Sequence, residues 1–124
     1  MKKFKFKIAA IALAVALSSP AWGQGTVPGQ TMVPLGYCQV GSSALGSASK
    51  LSANCTIPAN ATMAVLQAES ANVRYRDDGT APTASVGMIV ISGAAPLLYT
   101  GTLTALQIIA ASGSPLLDVS FYRQ

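Results

Sequence analysis

From residue 35 onward the apolar positions come in short runs, mostly with period two, separated by turn-forming residues. That pattern predicts half-buried strands. Tyr37–Val40 reads as a first short strand and 41–49 (GSSALGSAS) as a small, polar loop. Leu51, Ala53, Cys55 and Ile57 alternate with Ser52, Asn54 and Thr56, predicting a strand over 51–57 with Cys55 on its buried face. A turn follows at 58–60 (PAN), then a strand over Thr62–Glu69. In that strand Ala64, Leu66 and Ala68 share one side and Met63, Val65 and Gln67 the other. Two largely apolar sides predict a central strand, or one covered by a partner.

Val73–Arg76 is a short strand, and 77–83 (DDGTAPT) is the clearest loop. Aspartate caps its own backbone there, Gly79 supplies a positive φ, and Pro82 blocks strand pairing. Val86–Ile91 is apolar and β-branched, a strong strand; Gly93–Pro96 turns the chain, and Leu97–Thr100 is the next strand. Thr102–Ala105 predicts a single helical turn and Leu106–Ala111 a strand. One short helix over 102–111 is the alternative, since Leu103, Leu106 and Ile109 or Ala110 also fit helical spacing. The paired isoleucines and the flanking Gly101 and Gly113 favour the strand. Leu117, Val119 and Phe121 alternate with Asp118, Ser120 and Tyr122 in the last strand. About eight strands at a spacing near ten residues predict an all-β fold, a single antiparallel two-sheet sandwich of jelly-roll or immunoglobulin-like topology.

The N-terminal pattern is different. Lys2, Lys3, Lys5 and Lys7 precede an unbroken apolar run, Ile8–Leu17, which Ser18, Ser19 and Pro20 end. Ala21 and Gly23 are the small residues that a cleavage site before Gln24 requires. The segment 1–23 is therefore predicted to be a bacterial secretory signal peptide. Its apolar run is too short for a bilayer, which takes about 20 apolar residues. Export to the periplasm, the medium or the cell surface follows, with no membrane attachment once the leader is removed. Residues 24–34 (QGTVPGQTMVP) read as a flexible arm, and 35–124 as the sandwich domain.

The leader also carries the whole net charge of +4. Past it, Lys50, Arg74, Arg76 and Arg123 balance Glu69, Asp77, Asp78 and Asp118. Nucleic-acid binding needs a basic face to displace counterions, and the balance leaves none. So few charges, where ordinary soluble domains carry about one residue in four, leave a neutral surface weakly protected against self-association. Such a surface suits an exported protein of bland exterior, or a subunit whose sides are covered by neighbours. The partners expected are the protein itself, as a homo-oligomer, or another structural protein.

Candidate chemistry is sparse. The two cysteines, Cys38 and Cys55, are an even count in an exported small domain, which favours a disulfide worth about 3 kcal/mol in the chain-entropy picture. Two buried thiols in adjacent strands are the alternative. Histidine is absent, which removes Ser-His-Asp and Cys-His catalysis and most metal sites. No phosphate-cradling glycine spacing occurs, and no metal or other cofactor is expected. Asp77 and Asp78 sit side by side in a turn, where backbone capping is the ordinary role, whereas glycoside cleavage needs carboxylates facing each other. Asn54-Cys55-Thr56 and Asn60-Ala61-Thr62 match the glycosylation pattern, a coincidence in a chain with a bacterial leader. Tyr37, Tyr75, Tyr99, Phe121 and Tyr122 are expected in the core or on a sheet surface.

One polar cluster stands out: Arg74, Arg76, Asp77 and Asp78. Arginines two apart in a strand share a face, so with Val73 and Tyr75 inward they point outward. They either pair with Asp77, Asp78 or Asp118 and fix the hairpin, or reach a neighbouring subunit or ligand through the planar fork that suits carboxylates.

The run VRYRDDGTAPTASVGM (Val73–Met88) resembles small tailed-phage structural proteins, in which an arginine–aromatic–arginine–Asp–Asp–Gly strand end is followed by a Thr-x-Pro-Thr loop and a Val-Gly-Met strand. The likeness extends over LYTGTLTALQII (Leu98–Ile109) and LDVSFYR (Leu117–Arg123), and so over roughly 35–123. It implies a compact β-domain that decorates or joins parts of a virion by self-association, with no catalytic residues. The leader departs from that family, whose subunits assemble in the cytoplasm. The expected function is thus a non-enzymatic structural or interaction subunit. The alternatives are a periplasmic sugar- or peptide-binding module and a pilus-like subunit, whose marks would be the leader, an early disulfide, Tyr122 near the end and an arm donated to the next subunit.

Overall fold

In a computed structural model that describes residues 31–124, the alternating segments become eight strands. The predicted leader and most of the arm lie outside the described residues. The strands are β1 Val33–Val40, β2 Ser49–Lys50, β3 Met63–Glu69, β4 Val73–Arg76, β5 Met88–Val90, β6 Leu97–Tyr99, β7 Gln107–Ala110 and β8 Leu116–Arg123. They form two four-stranded antiparallel sheets, β1-β8-β3-β6 and β2-β7-β4-β5. β1 pairs with β8, β2 with β7, β3 with β6 and β4 with β5. The chain is therefore one long hairpin rolled up, closed by β3 against β8 and β4 against β7. This is jelly-roll topology; the immunoglobulin alternative would divide its strands differently.

Period two explains the core. On β8, Leu117, Val119 and Phe121 are almost wholly buried, and register sets them against Ala68, Leu66 and Ala64 of β3. Ala68 and Ala64 on the central strand thus leave room for Leu117 and Phe121 on its neighbour. Val73 and Tyr75 of β4, Ile108 of β7 and Val90 of β5 come from the other sheet, while Leu45, Leu51, Leu103 and Leu106 enter from turns. β3 is a central strand, as its two apolar sides predict, and the strand reading of 107–110 holds against a helix. The helical turn at its start is a 3-10 turn, Leu103–Ala105.

The expected strand over 51–57 is not there. Leu51–Asn54 is one turn of α-helix, α1. The β2 ladder runs out at Lys50 opposite Gln107, and the Leu51 N–H donates to the Leu106 carbonyl at 2.8 Å. The Asn54 amide then bonds back to Ser49 Oγ (2.8 Å) and the Lys50 carbonyl (3.0 Å), and the Cys55 N–H closes the turn on Leu51 (2.8 Å). Leu51 and Cys55 are four apart, a spacing that puts both on one face in a strand or a helix. Both are buried, so the inward setting of Cys55 survives the change of element.

Smaller differences lie at element ends. β1 starts at Val33, so the last two residues expected in the arm are sheet, and β2 takes the end of the expected 41–49 loop. β5 is shorter than 86–91 because Val86 is used in a turn with Thr83, its N–H reaching Thr83 Oγ1 at 3.0 Å. Cys38 and Cys55 are joined in a disulfide with Cα atoms 5.9 Å apart. It ties the β1 edge of one sheet to the segment that follows β2 of the other. Among the described residues no helix is long and apolar enough to cross a membrane.

Candidate functional site

β4 delivers the arginines as its alternation requires: Val73 and Tyr75 are buried, Arg74 and Arg76 face outward. Their partners differ. Arg74 Nε donates to the Ala84 carbonyl (2.9 Å) and Nη1 to the Gly87 carbonyl (2.8 Å). It clasps the backbone of the β4–β5 loop and meets no carboxylate. Arg76 grips Asp78 with two prongs, Nε to Oδ1 at 3.0 Å and Nη2 to Oδ2. The Thr80 N–H also reaches Asp78 Oδ1, at 3.2 Å. The Arg76 hydrogen bonds hold the Asp78 carboxyl below its ordinary range, with help from Thr80, and the same bonds push the guanidinium up.

Asp77 turns the other way and accepts from the Tyr99 hydroxyl at 2.8 Å. Burial, then this carboxylate, pushes the Tyr99 hydroxyl well up, so it stays a donor. The Tyr75 ring meets Tyr99 edge-on, with centroids 5.9 Å apart and planes at 79°. Gly87 lies at φ +136°, where a Cβ would come within 3.0 Å of the Tyr75 carbonyl. Glycine alone lets the returning strand pass so close to β4.

The four residues of the predicted cluster are neighbours, but only Arg76 pairs with a carboxylate, and Asp118, the other partner considered, is on the other sheet. Arg74, Arg76 and Asp78 fix the hairpin, while Asp77 ties it to Tyr99. A shallow concavity of about 330 Å³ opens beside them, lined by Arg76, Asp77, Asp78, Val86, Gly87 and Met88. Its arginine and Asp78 neutralise each other, and it offers no nucleophile set beside a base.

A second polar group was not foreseen. On the outer face of the β1-β8-β3-β6 sheet, Asp118 stands in register between Gln39 and Gln67. Gln39 Nε2 donates to its Oδ1 at 2.9 Å and the Tyr37 hydroxyl donates to the same oxygen, while Glu69 lies two residues along β3 from Gln67. Burial pushes the Asp118 carboxyl up, but the hydrogen bonds from Tyr37, Gln39 and Glu69 outweigh it and hold the group below its ordinary range. The hydrogen bond to Asp118, then its charge, pushes Glu69 up. The outward phase of Asp118 is visible in the sequence; its neighbours depend on strand order, which is not. Among the described residues no three Asp, Glu, Cys or His side chains group where they could hold a metal ion.

A third feature is apolar. Val86, Met88, Ile89 and Ile91, in the run expected to form a strong strand, are substantially exposed along β5 and its flanks, and Leu98 is exposed on β6. Both strands end their sheets, and from Gly79 to Leu117 the chain has no Asp, Glu, Lys or Arg. In comparison with known proteins, no family model matches this chain, and no curated protein and no solved structure matches it either.

Proposed function

We propose that the protein is an exported, non-enzymatic structural subunit that associates with copies of itself, as the tailed-phage structural proteins its central run resembles would. The observation that carries this reading is the exposure of Val86, Met88, Ile89 and Ile91 on and beside the edge strand β5. A monomer in water rarely leaves so many large apolar side chains uncovered along one edge, and larger patches of this kind mark interaction sites. The polar cluster supports the same reading. Its arginines and Asp78 are spent on holding their own hairpin, which makes a firm scaffold and leaves little with which to transform a substrate.

Light scattering on the purified protein over a range of concentrations tests the proposal. The expected mass is a multiple of one chain, rising or constant with concentration. A mass of one chain at every concentration overturns it.

A further inference from the structure

The outer face of the β1-β8-β3-β6 sheet carries two adjoining rows of different chemistry. Register sets Tyr37, Ser120, Val65 and Leu98 side by side across all four strands. Two residues further along the strands lies a polar row, Gln39, Asp118 and Gln67. Tyr37 stands opposite Ser120, yet its hydroxyl reaches Asp118 in the next row. The side chain therefore leans across the sheet, pinned at its tip. It is still 63% exposed, and Leu98 at the other end of the row is 49% exposed. A tyrosine held in this way is a fixed aromatic surface whose ordering has been met before any ligand arrives. Beside it, Gln39 gives its amide nitrogen to Asp118 at 2.9 Å and keeps its amide oxygen as an acceptor. Gln67, on the far side of Asp118, is exposed and brings both a donor and an acceptor.

We infer that this face binds a neutral oligosaccharide, with sugar C–H faces on the row that Tyr37 begins and hydroxyls on Gln39, Asp118 and Gln67. A sugar is the ligand with that division, apolar on its ring faces and dense in paired donors and acceptors at its edge. The other occupants fit less well for physical reasons. An anionic ligand, nucleic acid or acidic glycan, meets Asp118 and Glu69 and finds no cation opposite: Arg123 has the inward phase of Phe121, and no other Lys or Arg lies on these four strands. A peptide laid on the face needs partners for its backbone, and β8 and β3 have already given theirs to strands on both sides. A second copy stacked about a two-fold axis sets these carboxylates against their own copies, a repulsive arrangement. The inference does not rest on self-association, because the exposed β5 edge belongs to the other sheet.

Nuclear magnetic resonance titration of the purified protein tests this, with cellohexaose, xylohexaose, maltohexaose and N-acetylchitohexaose as probes at millimolar concentration. At least one should shift the side-chain amide signals of Gln39 and Gln67 saturably. Tyr37→Ala should weaken that binding about tenfold, the upper scale of an aromatic contact, and Tyr37→Phe, which keeps the ring, should weaken it less. Should Tyr37→Ala not fold, Gln67→Ala at its exposed position decides: a loss of about threefold or more is expected, and unchanged affinity overturns the inference. Four probes that leave both amide signals unmoved overturn it, as does binding that Tyr37→Ala leaves intact. A sulfated oligosaccharide or a proline-rich peptide that titrates the same signals more tightly than every neutral sugar also overturns it.

Discussion

Arg74 shows how a charged side chain can serve the backbone. Its two bonds to the Ala84 and Gly87 carbonyls hold a loop that has no regular structure of its own. Arg74→Ala should cost about 2 kcal/mol in denaturant unfolding, the scale of a hydrogen bond to a charged group. Arg74→Lys should recover little, since a point charge cannot span two carbonyls as the fork does. The facing phase of both arginines was legible in the sequence from Val73 and Tyr75; that Arg74 would choose carbonyls and Asp77 a tyrosine was not, because both choices depend on where the loop returns. On the opposite sheet, Glu69 and Asp118 shift in opposite directions. A raised Glu69 contributes stability that is complete below the ordinary glutamate range and is lost as pH rises through its folded value. A lowered Asp118 contributes stability present above the ordinary aspartate range and lost as pH falls through its folded value. Both contributions coexist only in mild acid, near the ordinary carboxylate range. Glu69→Gln keeps a hydrogen-bond donor at every pH, so its melting temperature, followed by circular dichroism, should lose the decline that wild type shows as pH rises out of that window.

At the scale of elements, alternation made β4 and β8 readable, because each buries one face in the core, and β3 was legible from its two apolar sides. It misled at 51–57 for a physical reason. Leu51 and Cys55 need only share a face, and a one-turn helix held by Asn54 does that as well as a strand. The disulfide was legible from two cysteines and the expectation of export, and it secures this irregular stretch to β1. Reduction should lower stability by about 3 kcal/mol, measured as a shift in denaturant midpoint with and without reductant. The middle of β8 is the most heavily packed element, lying between β1 and β3. Leu117→Ala there, at a wholly buried position, should cost about 2–5 kcal/mol in the same measurement.

Residues 31–124 form a jelly roll without net charge, apolar along its β5 edge. Composition alone announces that neutrality once the lysines of residues 1–23 are set aside. Strand order does not appear in composition or period, and so the exposure of Val86, Met88, Ile89 and Ile91 could not be read from a run that looks like core. Only the rolled-hairpin topology, which leaves β5 at an edge, turns that run into a surface. The proposed association would be driven by apolar burial along that edge, so salt, which screens exposed charges within about 10 Å at ordinary ionic strength, should not undo it. Sedimentation equilibrium of the purified protein at low and high salt is the most direct measurement. A mass of more than one chain that is unchanged or raised by salt is the expected result. A single-chain mass throughout, or an assembly that salt dissolves, would contradict it.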